Sequence, residues 1–173
     1  MTGPGRHQLV VPVADLLRRP GSARDEHREA VLDGLAVSGS AVPEGEPVVV
    51  DAHLESVNEG IVVTGHVRAP WRGECRRCLT PLEGELDGTV LEVFEPEPVE
   101  GETRRLEGTT VDLEPVARET VLLELPLAPL CTEACRGLCD QCGADRNADP
   151  AHSHDDARDP RWSALDVLKF EQP

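Results

Sequence analysis

Residues 47–67 read PVVVDAHLESVNEGIVVTGHV, and this stretch decides the fold. Val48, Val50, Ala52 and Leu54 alternate with Val49, Asp51, His53 and Glu55. That period of two belongs to a strand with one buried face. Asn58-Glu59-Gly60 breaks the pattern with turn chemistry. Ile61, Val63 and Val67 then resume it, so the two runs are expected to pair as an antiparallel hairpin. PLEGELDGTVLEVFEP, residues 81–96, alternates again through Leu82, Leu86, Val90 and Phe94. It reads as a third strand, with a bulge expected near Gly88.

Helical grammar flanks the strands. In VDLEPVARETVLLELP, residues 111–126, Asp112 can cap, Pro115 fits the first turn and Pro126 stops the helix. Leu113, Val116, Ala117 and Val121 form its apolar stripe. DPRWSALDVLKF, residues 159–170, repeats this grammar, with Asp159 as cap and Pro160 at the first helical position. Residues 8–13 suit a short strand. Residues 14–35 suit two helical pieces broken at Pro20-Gly21. Residues 36–46 read as a connecting loop, and the polar, proline-rich residues 95–107 as an exposed one. The expected architecture is α+β: an antiparallel β-sheet with flanking helices and a cysteine-rich, zinc-knuckle-like C-terminal segment. The 173 residues are expected to form a single domain in three stretches: 1–46, 47–126 and 127–173.

Composition narrows the function classes. The formal net charge is −16, from 33 acidic and 17 basic residues. Such a surface repels a phosphate backbone at long range, so nucleic-acid binding requires a local basic patch. Arg68, Arg72, Arg76 and Arg77 gather around Trp71, and arginines beside an aromatic can hold phosphate and stack on a base. Pairing of these arginines with nearby carboxylates is an equally open alternative. Glu83 to Glu102 holds eight carboxylates and no basic residue, which suits a basic protein partner or simply a solvated face. The N-terminus lacks the apolar core of a secretory signal, and no run approaches the length of a membrane helix. A cytoplasmic location is expected, where thiols stay reduced.

Cys75 and Cys78, in ECRRCL, and Cys139 and Cys142, in LCDQCG, form two C-x-x-C pairs. Each pair can turn two sulfurs toward one ion, so four thiolates supply a structural zinc tetrahedron. Gly143 directly follows the second pair, where such a knuckle favours a positive φ. The spacing thus couples Cys75, Cys78, Cys139 and Cys142 in one site. Cys131, Cys135, His152 and His154 are further candidates, and eight ligands suffice for two ions. Redox or inert thiols are the competing readings. Neither pair sits at a helix start in a βαβ context, as a thioredoxin-like site requires. Ser-His-Asp order, a phosphate-cradling glycine loop and a His-Glu-x-x-His helix are all missing from the sequence, so no enzyme or small-molecule substrate is expected.

WRGECRRCL (71–79), LPLAPLC (125–131), CRGLCDQCGADRN (135–147) and DPRWSALDVL (159–168) follow one another in an order that resembles the YceD family, the large ribosomal RNA subunit accumulation proteins. The resemblance runs from about residue 9 to the end. It implies a role in synthesis or assembly of the large ribosomal subunit, with ribosomal RNA or a precursor particle as partner and no established enzymatic activity. Many family members have been described as candidate metal- and nucleic-acid-binding proteins. Many relatives carry Cys-x-Cys where His152 and His154 stand, and histidine preserves the capacity to ligate zinc. Other relatives lack several of the cysteines, which implies a structural metal. The alternatives are an acidic adaptor or chaperone for a basic ribosomal protein, and a thiol redox protein.

Overall fold

The structure, a computed structural model, describes residues 8–58 and 60–154. The helix expected over 159–170 lies outside the described residues.

The chain runs β1 (Val10–Pro12), α1 (Ala14–Leu17), β2 (Ala23–Val31), β3 (Ser40–Ala41), β4 (Pro47–Val57), β5 (Gly60–Glu74), β6 (Pro81–Glu95), β7 (Arg104–Arg105), β8 (Thr110–Asp112) and α2 (Glu114–Glu124). The main sheet has the order β2-β4-β5-β6-β7, and β3 also pairs with β5. All its pairings are antiparallel except the two-residue β6–β7 contact. A separate antiparallel ribbon joins β1 to β8. The fold class is α+β, dominated by the sheet.

The alternation in residues 47–67 sets this arrangement. Val48, Val50, Ala52 and Leu54 of β4 and Ile61, Val63 and Val67 of β5 are all buried on one face. Leu86, Val90 and Phe94 extend that face along β6. The β1–β8 ribbon and α2 cover it, contributing Leu9, Val11, Val13, Val111, Leu113, Val116, Ala117 and Val121 to the same core. Burial of this aliphatic surface is the main stabilising term, and among the described residues Phe94 is the one aromatic fully buried in it. Helix α2 begins where Asp112 Oδ1 accepts the Glu114 N–H at 2.9 Å. It ends at Leu125, whose extended backbone is what a following proline imposes.

Three expectations are corrected. Residues 14–35 hold one short helix, and Ala23–Val31 is a strand along the sheet edge. There Arg24, Glu26 and Arg28 are half-buried, while Asp25, His27 and Glu29 are exposed. Glu26 bridges both arginines, at 2.8 Å from each. On the outer face, Asp25 meets His53 at 2.6 Å and His27 meets Asp51 at 2.6 Å. Cross-strand charge pairs therefore outweigh helix propensity in this segment.

The bulge expected at Gly88 is replaced by unbroken pairing from Ile61↔Phe94 to Glu74↔Pro81. Gly88 instead leaves room for Thr120 and Glu124 of α2 to settle against the sheet. The expected loop 95–107 is exposed over 99–102, but its C-terminal end is tied down. Leu106 is buried, and Arg104 pairs with Glu92 at 2.9 Å and with Glu119.

Candidate metal centre

The first knuckle is the connection of the long β5–β6 hairpin. Cys75 directly follows β5, and the Cys75 N–H donates to Thr80 O at 2.8 Å to close the loop. The Leu79 N–H donates to Cys75 O at 2.8 Å. The second C-x-x-C repeats this construction. The Cys139 N–H donates to Ala144 O, and the Gly143 N–H to Cys139 O, both at 2.8 Å. The residue after each pair has a positive φ: 60° at Leu79 and 74° at Gly143. Gly143 adopts the left-handed turn expected of it, whereas Leu79 does so against the usual steric penalty of an L-residue.

The two knuckles do not share a site. Cys75 and Cys78 converge with Cys131 and Cys135, and all four sulfurs lie within 4.8 Å of one another. Cys139 and Cys142 converge with His152 and His154 under the same limit. This corrects the expected partnering of Cys75 and Cys78 with Cys139 and Cys142.

The cause lies in the segment after α2. The Arg76 N–H donates to Pro129 O at 3.0 Å, which delivers Cys131 directly to the hairpin tip. The Leu138 N–H donates to Arg77 O at 3.0 Å, and the Arg77 guanidinium donates to Cys135 O at 2.8 Å. Gly137, at φ 73°, passes so close that a Cβ would lie 2.9 Å from Arg77 O. By Cys139 the chain has already passed the hairpin.

The four-cysteine cluster has the dimensions of a zinc cage. Cys78 Sγ lies 3.6 Å from Cys131 Sγ, and Cys75 Sγ lies 3.8 Å from Cys135 Sγ. A tetrahedron with Zn–S bonds of about 2.3 Å has S···S edges of about 3.8 Å. Cys75, Cys78 and Cys135 are buried, and Leu82, Leu130 and Leu138 pack around them. None of the six cysteines is in a disulfide.

The electrostatics suit a bound cation. Burial opposes ionisation of Cys75, but the backbone groups of Cys131, Cys78 and Arg77 aimed at its sulfur lower its pKa to about 6. Hydrogen bonds to Cys135 and Cys78, together with burial, push Cys131 up to about 12. Four sulfurs packed within 4.8 Å of one another cannot all ionise without positive charge among them. A divalent ion removes that conflict. In the second cluster, backbone groups of Gln141 and Cys142 lower the Cys139 pKa to about 6 against the effect of burial.

The arginines divide. Arg68 pairs with Asp51, and Arg77 is spent on the Glu133 and Cys135 carbonyls. Trp71 is half-buried against the core, its ring lying over Gly84. Arg72 and Arg76 line an open cleft of about 730 Å³ beside Cys75, with Ser40, Leu79 and Leu127. Arg72 stands 3.8 Å from the carboxylate of its cross-strand neighbour Glu83, a loose contact. Sequence reading missed this cleft, because Ser40 and Leu127 reach the knuckle only through the fold.

The fold and its cysteine clusters define a class: an antiparallel α+β domain whose β5–β6 hairpin tip meets a cysteine-rich segment following α2. Residues 63–169 match the family described as Large ribosomal RNA subunit accumulation protein YceD. The chain belongs to that family. It is similar to uncharacterised proteins of Mycobacterium tuberculosis and Mycobacterium bovis. Each is 37% identical over 165 residues, covering 91% of this chain and 79% of the relative. An uncharacterised protein of Mycobacterium leprae is 33% identical over 174 residues, covering 95% of this chain and 80% of the relative. No solved structure matches the chain. Among the described residues, no helix is long and apolar enough to cross a membrane.

Proposed function

We propose that this protein is a non-catalytic, cytoplasmic factor in biogenesis of the large ribosomal subunit, supporting accumulation of its ribosomal RNA. The observation that carries this reading is membership of the YceD family over residues 63–169, a span that contains all six cysteines. Zinc held by Cys75, Cys78, Cys131 and Cys135 clips the segment after α2 to the β5–β6 hairpin. Zinc suits a donor set of four thiolates, and a closed tetrathiolate cage leaves no position for substrate. The ion's part is therefore structural.

The contact with ribosomal RNA, or with a precursor particle, falls at the hairpin tip. Arg72 and Arg76 offer cations there on a chain that is otherwise strongly acidic. Contact through so few cations weakens as salt rises, but with a shallow dependence, because few counterions are released.

A second reading is supported by the outer face of the sheet. Asp25 and Glu29 of β2, Asp51 and Glu55 of β4, and Glu85 and Asp87 of β6 stand on it, which suits a basic ribosomal protein. Depletion of the protein in cells, followed by gradient sedimentation and quantification of both ribosomal RNAs, tests the main reading. Large-subunit RNA is expected to fall relative to small-subunit RNA, with the protein sedimenting alongside large-subunit precursors. An unchanged RNA ratio contradicts the reading. Particle association that persists after RNase treatment favours the basic-protein contact over the RNA contact.

A further inference from the structure

Resting on the zinc reading above, we propose that Cys139, Cys142, His152 and His154 hold a second zinc ion that exchanges readily, while the four-cysteine ion stays in place.

The geometry is that of a cage. Cys142 Sγ lies 3.3 Å from His152 Nε2 and 3.3 Å from His154 Nε2, and the two ring nitrogens are 3.0 Å apart. The rings meet edge to face, with centroids 4.7 Å apart. With Zn–S near 2.3 Å and Zn–N near 2.05 Å, a zinc tetrahedron has S···N edges of about 3.5 Å and N···N edges of about 3.3 Å. Hydrogen bonding alone does not account for the convergence, because groups this exposed can each be satisfied by water. Two thiolates and two imidazoles favour zinc over the hard cations that oxygen ligands select.

The difference in exchange follows from topology and burial. All four ligands of the second cage lie within residues 139–154. Cys142 and His154 are exposed, His152 is half-buried, and every residue from 140 to 151 except Ala144 is exposed. Opening this cage unfolds one short surface segment, an event of low free-energy cost. The other cage takes ligands from two segments, three of them buried, and opening it parts the C-terminal segment from the hairpin.

The two cages also touch. Asn147, inside the 139–154 segment, donates through Nδ2 to Cys135 Sγ at 3.5 Å, and its Oδ1 accepts the Arg136 N–H at 2.8 Å. Filling the exposed site therefore holds a hydrogen-bond donor against a ligand of the buried one, the kind of support that orients metal ligands.

The test compares full-length protein, purified without chelator, with the double variant Cys142→Ser/His154→Ala. Zinc content is measured first. Release into excess EDTA is then followed with a zinc-sensitive dye, alongside the circular dichroism of the sheet. Wild type is expected to carry one zinc per cluster, two in all. One should leave at least about tenfold faster than the other, with the sheet signal unchanged. The variant should carry one zinc and show only the slow phase. A single ion in both proteins, or two ions leaving wild type in one phase, overturns the exchangeable second site but leaves the structural zinc standing. Wild type without zinc overturns both.

Discussion

Cys78 Sγ and Cys131 Sγ lie 3.6 Å apart although fifty-three positions separate them in the chain. The contact closes a long loop between the hairpin tip and the segment after α2. A crosslink over a loop of that length stabilises by about 4 kcal/mol in the chain-entropy account. Cys131→Ser is expected to lose the buried zinc and a stability of that order, read as a fall in the chemical-denaturation midpoint together with metal content. A variant that keeps its full zinc and midpoint removes Cys131 from the cage.

Gly137 carries the approach of the cysteine-rich segment to the hairpin. Gly137→Ala places a methyl group 2.9 Å from Arg77 O at a backbone φ of 73°. Left-handed strain alone costs an L-residue about 1–2 kcal/mol, and the contact adds to it. Equilibrium unfolding should show at least that loss. A neutral result would mean that the segment approaches Arg77 less closely.

The equivalent positions Leu79 and Gly143 yield an opposite pair of effects. Leu79 is 57% exposed, so its side chain contributes little burial to offset its positive φ. Leu79→Gly relieves the strain at the cost of greater freedom in the unfolded chain, leaving a net gain of up to about 1 kcal/mol. Gly143→Leu imports the strain and should destabilise the second knuckle. Thermal unfolding of Leu79→Gly and zinc release from Gly143→Leu check the two signs.

On the sheet face, the Asp51 and Glu29 carboxylates raise the His27 pKa above its ordinary value, and His27 and Arg68 hold the Asp51 carboxyl below its own. A raised histidine pKa contributes stability that is fully present below the ordinary value of 6.5 and is lost as pH rises through the folded value. The lowered Asp51 pKa contributes stability above 3.8 that is lost as pH falls through its folded value. The pair is thus charged on both sides between those two limits. Asp51→Asn should bring the His27 titration down toward 6.5, as followed by NMR of the ring protons. An unmoved titration would separate the two residues.

The strands β4, β5 and β6 were legible because one buried face against one wet face imposes a period of two. Strand β2 was not, since ARDEHREAV is rich in helix formers and its half-buried positions are Arg24, Glu26 and Arg28 rather than aliphatics. The usable signal lay in complementary charges on another strand, Asp25 with His53 and His27 with Asp51, which become visible only once the register is known.

The metal ligands followed the same division. C-x-x-C spacing marks half of a site but does not name the other half. Cys131 and Cys135, with three residues between them, have a less distinctive spacing than either knuckle. Their partnership with Cys75 and Cys78 arises from the path of the chain after α2, where Pro129 O accepts the Arg76 N–H at the hairpin tip. The capacity for two ions was readable from the eight candidate ligands, whereas their division into two cages required the fold.

X-ray absorption at the zinc edge of the Cys142→Ser/His154→Ala variant isolates the buried cage and tests the account most directly. Four sulfur neighbours at about 2.3 Å, with no light-atom ligand, are the predicted result. A zinc shell with nitrogen or oxygen in place of one or more sulfurs would mean that Cys75, Cys78, Cys131 and Cys135 do not close on one ion.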